Sequence, residues 1–391
     1  MPRKSLSCAP ACAQRLNLAA FLLFLTASAR GEELLSAPRA PKFLGASSCA
    51  SSSCHGGGGQ RQNQFHVWSL RDFHSQRPFA TLTTARSKQI AEVLQIKDPA
   101  NESRCTSCHA PLREVPEARR GEAFRMSEGV SCESCHGAAE NWLRGHTRPD
   151  WTHADRTFAG MRDVKNLYVR ANTCAACHQT VETSLLKAGH PVLIFELDGQ
   201  SVTQPKHWLE ATNWNGGQTW LVGQAVALRE MSWQLSREAK QDEKLVSRWR
   251  ALLWLLQKLD GLNAALPRLK EISAEPSPGN VSAALKVSDD LAQRAAAADW
   301  TNTMSRQALQ ALAATAEDFQ KAATDPQSHV RRAERLVLAL DRLSGCCNMP
   351  SPTEAAKSQL DRLFDLVQSA PDFETSQFSE ALRQFSRSLE K

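Results

Sequence analysis

The sequence predicts a mainly α protein in two parts, and three observations carry that prediction. Cys and His crowd the first half, where hydrophobic periodicity is weak. From about Trp220 onward, apolar residues recur at helical spacing, and Pro- and Gly-bearing breaks punctuate that stretch. The chain has 391 residues, 42% hydrophobic and 23% charged, enough for about two domains. Such a composition excludes collagen, wholesale disorder and a multi-span membrane protein. The formal charge is +6, and it falls to +3 once Arg3, Lys4 and Arg15 are set aside with the leader they belong to. With no basic stripe interleaved with aromatics, nucleic acid is not an expected partner.

Residues 1–29 read as a secretory signal peptide. The three basic residues precede an apolar run from Leu16 to Ala27, and Ala27-Ser28-Ala29 fits small-residue cleavage. The apolar core, about ten residues, is short of the ~20 that a helical span needs. Cys8 and Cys12 leave with the leader, so the mature chain is expected in the periplasm or otherwise exported, with no stable membrane insertion after cleavage. Residues 30–43 read as a linker, 44–220 as a Cys- and His-rich domain, and 221–391 as an α-helical domain.

Of the 12 Cys, ten remain, and eight of those fall in pairs that each end in Cys-His. Three are short: Cys105-Thr-Ser-Cys108-His109, Cys132-Glu-Ser-Cys135-His136 and Cys174-Ala-Ala-Cys177-His178. The fourth, Cys49-Ala-Ser-Ser-Ser-Cys54-His55, is longer. C-x-x-C-H is the c-type haem attachment pattern. Two thiols one helical turn apart each add to a porphyrin vinyl group, and the adjacent His supplies the proximal axial ligand. The 12 residues of the four motifs are therefore the expected sites of four covalent haems c, with His55, His109, His136 and His178 on the irons. A zinc site built of Cys pairs, or a disulfide framework, leaves the His after each pair unexplained. Thioredoxin-like motifs come singly beside a strand-helix-strand pattern that is missing here. In the longer motif, a double thioether and attachment through Cys54 alone both stay open.

A second axial ligand separates electron carriers from catalysts. Beyond the proximal His there remain His66, His74, His146, His153, His190, His207 and His329, six of them within the haem-bearing stretch. His190 is the leading distal candidate, held in Ala188-Gly189-His190-Pro191, followed by His74 and His146. His66, His153 and His207 compete for what remains, Met126 or Met161 is the sulfur alternative, and His329 reads as a structural His.

The segment from about residue 44 to 215 resembles the tetrahaem c-type cytochromes, the family that includes the electron acceptor of hydroxylamine oxidoreductase in ammonia oxidisers. The resemblance rests on the four motifs, Cys54-His55-Gly56-Gly57, Trp68 to His74, Cys135-His136-Gly137, and Ala188-Gly189-His190-Pro191 followed by Phe195-Glu196. It implies mostly bis-His haems packed in close pairs, with one haem able to lack a distal protein ligand. It also implies His74, His146 and His190 as distal ligands. The Cys49 spacing and the long carboxy-terminal extension depart from the family pattern.

In the haem-bearing part, helices are expected at Gln64 to Asp72 and Thr83 to Ile96, with loops at Gly56 to Gly59 and Arg113 to Arg120. In the second part, Leu245, Trp249, Leu252, Leu256 and Leu259 recur at helical spacing. So do Leu309, Leu312, Ala316 and Phe319, then Leu336, Leu340 and Leu343. Breaks at Pro276 to Gly279, Asp325-Pro326, Pro350 to Pro352 and Pro371 divide a bundle of five or six helices. Cys346-Cys347 form either a vicinal disulfide or two thiols. The fold expected is thus a multihaem cytochrome c domain with short helices, followed by an α-helical bundle.

The function expected is single-electron transfer between redox protein partners by an exported tetrahaem c-type cytochrome, a carrier rather than an enzyme. The rival is a multihaem reductase or oxidase of a small nitrogen or sulfur compound at a five-coordinate haem. A haem-binding sensor or scaffold is the third class. Intact mass of the exported protein, made with a cytochrome c maturation system, is expected to show a chain starting near Arg30 with four haems. A three-haem mass would show that the Cys49 motif is not used.

Overall fold

Backbone hydrogen bonds in this chain close almost entirely within helices and turns, as a sequence without period-2 alternation requires. The computed structural model describes residues 40–238, 241–321, 326–346, 354–368 and 372–389. The expected leader, most of the linker, Cys347 and the breaks at Pro350 to Pro352 and Pro371 lie outside the described residues. Among the described residues the protein is mainly α and has no strand, only an isolated bridge between Phe43 and Arg120.

Nine short helices make up the Cys- and His-rich half. They are α1 (Gln64–Leu70), α2 (Arg77–Thr81), α3 (Ala85–Val93), α4 (Ser103–His109), α5 (Cys132–His136), α6 (His153–Phe158), α7 (Leu167–His178), α8 (Thr183–Lys187) and α9 (Leu197–Thr203). α1 and α3 cover the two expected helices but are shorter. Thr84 caps α3 by accepting from the Ser87 amide, and Gln95, at φ 56°, follows its end. The loop expected over Arg113 to Arg120 contains a 3-10 turn at Glu117–Arg119.

Among the described residues the second half holds seven longer helices, not five or six: α10 (Gly216–Arg237), α11 (Glu243–Gln257), α12 (Pro278–Ala297), α13 (Asn302–Ala313), α14 (Pro326–Cys346), α15 (Glu354–Gln368) and α16 (Thr375–Ser388). The count rises because residues 278–313 break without Gly or Pro. There Thr301 caps α13 by accepting from the Met304 amide. The apolar stripes face the core as their spacing requires: Leu245, Trp249, Leu252 and Leu256 are buried on α11, and Leu336, Leu340 and Leu343 on α14.

α10 is the central element, packed against α7, α9, α11, α12 and α14. The boundary expected at 220/221 falls inside it. The helix begins at Gly216, where the Asn215 side chain accepts from the Gly217 and Gln218 amides. Leu167, Ala171 and Ala175 of α7, with Phe195 and Leu197, share one apolar cluster with α10 to α14 and α16. The helix carrying the fourth Cys motif therefore belongs to the same core as the bundle. Gly223 permits the close crossing of α9, since a Cβ there would lie 2.7 Å from the Leu197 Cβ. Charge fastens the same junction. Arg342 donates to Asp198 at 2.8 Å, Arg335 approaches Glu196 at 3.4 Å, and Gln224 donates to Glu196 at 2.8 Å. Burial pushes the Glu196 carboxyl up to about 7.

A second polar tie secures α11 to the 3-10 turn at Ala316–Phe319. Burial raises Asp318, but Lys258, Lys321 and the Trp254 indole donate to it and bring its pKa down to about 2. A depressed carboxylate stabilises the fold above its unfolded pKa of about 4, and that contribution disappears as pH falls toward the folded value. Asp318→Asn is expected to cost about 1–3 kcal/mol at neutral pH. Thermal unfolding followed by circular dichroism should show the gap to the unaltered chain closing between about pH 4 and pH 2.

Candidate functional site

Each short Cys motif lies on one helical turn. Cys105, Cys108 and His109 end α4; Cys132, Cys135 and His136 form α5; Cys174, Cys177 and His178 end α7. A helix brings residues i and i+3 to one face, so each thiol pair projects together and the His follows at the helix end. The first motif solves its longer spacing differently. Cys49 closes a 3-10 turn (Ala46–Cys49), and the chain then folds back so that the His55 amide donates to the Cys49 carbonyl at 3.3 Å. Gly56 makes the fold-back possible, because a Cβ there would collide with the Ala50 carbonyl.

The motifs are brought together in twos. The Cys49 thiol sits against Cys132, and the Cys108 thiol against Cys177, each of the latter two also reaching a carbonyl of the other's helix, Ala176 at 3.9 Å and Ser107 at 4.0 Å. Contact with Cys177 lowers Cys108 to about 7, and contact with Cys132 lowers Cys49, while both partners are raised. Burial, helped by the Cys135 thiol, lifts Cys174 to about 12. No disulfide joins the eight motif cysteines to one another. The four motifs are thus adjacent as first with third and second with fourth.

Three of the four motif imidazoles face another imidazole from far along the chain. Ring centroids are 6.1 Å apart for His55 and His146, 5.8 Å for His178 and His74, and 6.5 Å for His109 and His190. A metal held between two imidazole nitrogens at about 2 Å each spaces the centroids by roughly 6 Å. In five of these rings Nδ1 has a partner: Gln64 Oε1 for His55, the Pro78 carbonyl for His109, the Leu143 carbonyl for His146, Asp72 for His74 and the Pro191 carbonyl for His190. Donation from Nδ1 fixes the tautomer whose Nε2 lone pair is free for a metal.

The remaining His divide by the same criterion. His66 spends Nε2 on the Gly56 carbonyl at 2.8 Å, and His153 points Nε2 at Asp163, 3.2 Å away. His329 donates Nε2 to the Lys321 carbonyl at 2.9 Å inside the bundle. His207 behaves like the paired rings, with Nδ1 3.4 Å from the Pro205 carbonyl and 3.9 Å from Asp72. His136 is the motif imidazole outside the three ring pairs. Burial drives its pKa down to about 4, with His207 the next contributor. Met126 accepts a bond from Arg120 through its sulfur at 3.6 Å.

Haem c fits these residues on their donor chemistry: paired thiols on one turn, imidazoles held in the metal-binding tautomer, and apolar side chains left open beside them. Phe73 and Val192, each next to or two residues from a paired His, are 64% and 53% exposed, apolar area that a macrocycle would cover. The motif thiols and His would hold haem c, and the three facing rings would offer it a second nitrogen donor.

Residues 48–137 match the family described as cytochrome c554 and c-prime. That match supports a c-type cytochrome. It spans the first three Cys motifs together with His66 and His74, and it implies covalently bound haem c, electron transfer and redox partners. Comparison with curated proteins and with solved structures finds no match.

Four site residues were not anticipated from the sequence. Asp72 and Gln204 hold His74, Arg86 donates to the Gly189 carbonyl at 2.7 Å beside His190, and Glu133 lies buried within the third motif. The Glu133 carboxylate accepts from the amides of Leu44, Gly45 and Ala139 at 2.7–2.8 Å, fastening the start of the domain to α5. Position two before a ligand candidate was the available clue for Asp72; nothing local marked the other three.

His190→Ala is expected to leave one haem high-spin and open to added ligands, with the others unchanged in the electronic spectrum. An unaltered spin state would make His190 a turn residue only.

Proposed function

We propose that this chain is an exported tetrahaem cytochrome c that passes single electrons between redox proteins. The observation that carries the reading is the facing of His55 with His146, His109 with His190, and His178 with His74. His207 serves the remaining iron, at His136, because it alone of the unpaired His in this half keeps Nε2 clear while neighbouring His136. Bound haem c supplies reversible Fe(III)/Fe(II) exchange. The protein's work is to hold two imidazoles per iron, shield them, and keep the motifs in contact as first with third and second with fourth. A saturated iron exchanges electrons with little rearrangement and offers no place for a substrate.

Export is read from the leader pattern and the demands of covalent haem attachment. Among the described residues no helix is long and apolar enough to cross a membrane, which agrees with a chain that docks on its partners rather than inserting. The bundle of α10 to α16 carries no Cys-His motif and serves as a docking or assembly part. It is joined to the haem-bearing part through α7 and α9.

The second reading, a multihaem reductase, draws on one feature: His136 has no imidazole at the spacing of the other three pairs. Steady-state turnover of nitrite, hydroxylamine and NO by the fully reduced protein, with spectra in cyanide, separates the two. The carrier reading expects negligible turnover and no cyanide-induced change. Rapid turnover together with a ligand-binding high-spin haem would promote the reductase.

A further inference from the structure

Asp72 is 3% exposed, and its ion-pair partners are two imidazoles rather than Lys or Arg. A buried carboxylate without a cation is expensive unless donors surround it. Here Oδ1 receives the His74 backbone amide and His74 Nδ1, both at 2.9 Å. Oδ2 receives the Gln204 amide at 2.7 Å and lies 3.9 Å from His207 Nδ1. Gln204 and His207 come from more than 130 positions along the chain, at the end of α9 and the turn after it. The charge also reaches the third motif, where Asp72 is among the groups that raise the Cys135 thiol.

His74 and His207 belong to different irons on the reading above: His74 faces His178 of the fourth motif, and His207 neighbours His136 of the third. We propose that Asp72 is a positioning residue shared by two axial imidazoles, holding His74 as an Nδ1 donor and placing its charge 3.9 Å from His207 Nδ1, and that it sets the potentials of two haems together. An anion beside Nδ1–H makes Nε2 a stronger donor, and its charge favours the ferric state, which carries one more positive charge than the ferrous. Both effects lower the potential, and in a buried setting they are weakly screened. The first and second motifs, served by His146 and His190, have backbone carbonyls at Nδ1 and lie outside this pairing. The two close pairs of motifs therefore each contain one haem under the Asp72 charge and one outside it.

This inference rests on the tetrahaem reading, and the test keeps the two apart. Intact mass of the unaltered chain counts its haems; fewer than four would sink the tetrahaem reading, and this inference with it. Asp72→Asn keeps an oxygen acceptor for His74 but removes the charge. In an EPR-monitored redox titration of the four-haem protein, Asp72→Asn should raise two of the four midpoint potentials and leave two in place. Asp72→Glu, which restores the charge, should bring both back toward their starting values. Movement of one potential alone, of none, or of all four equally would overturn the proposal. So would loss of a haem from Asp72→Asn with the remaining potentials unmoved.

Discussion

An imidazole has two nitrogens, and engaging one decides what the other is free to do. In five of the six imidazoles that meet in pairs in the amino-terminal half, Nδ1 is the nitrogen tied down, by carbonyls at His109, His146 and His190, by an amide oxygen at His55 and by a carboxylate at His74. That choice leaves Nε2 as the uncommitted nitrogen of each ring. The short helices, the fold-back after Cys49 and the turn before Pro191 are the means of placing those rings. His66, His153 and His329, which use Nε2 on protein oxygens, show the other outcome within the same chain.

The two halves obey different rules but share one core. In the bundle, stripes on α11, α13 and α14 bury apolar side chains in the ordinary way. In the haem-bearing half the helices are too short to build such stripes, and buried apolar residues are sparse. α7 joins the regimes: Leu167, Ala171 and Ala175 enter the bundle core while Cys174, Cys177 and His178 sit at its far end. Glu196 and Asp198, paired with Arg335 and Arg342, fix α9 to α14 across the same junction. The fourth Cys-His motif is thus mounted on a helix of the shared core.

Legibility in the sequence tracked distance along the chain. The C-x-x-C-H units are local, so their chemistry could be read without a structure. Helical stripes are local too, and Leu245 to Leu256 and Leu336 to Leu343 face inward as their period requires. What was not legible is which imidazole meets which motif: His74 and His178, or His109 and His190, are brought together by folding across some 80 to 100 positions. Asp72, Gln204 and Glu133 act through contacts of the same long range. The helix count, and the start of α10 ahead of the expected 220/221 boundary, were not legible for a different reason. Thr301 is a polar cap without Gly or Pro, and texture alone placed the change at Trp220 when α10 starts at Gly216, capped by Asn215.

On the proposed function, a pair of imidazoles serves every iron. Near-infrared magnetic circular dichroism of the fully oxidised protein reports the axial ligand set of each ferric haem directly. The expected spectrum holds bis-imidazole low-spin transitions with an intensity matching the number of haems found by mass. A high-spin component, or one from a methionine-ligated iron, would contradict it.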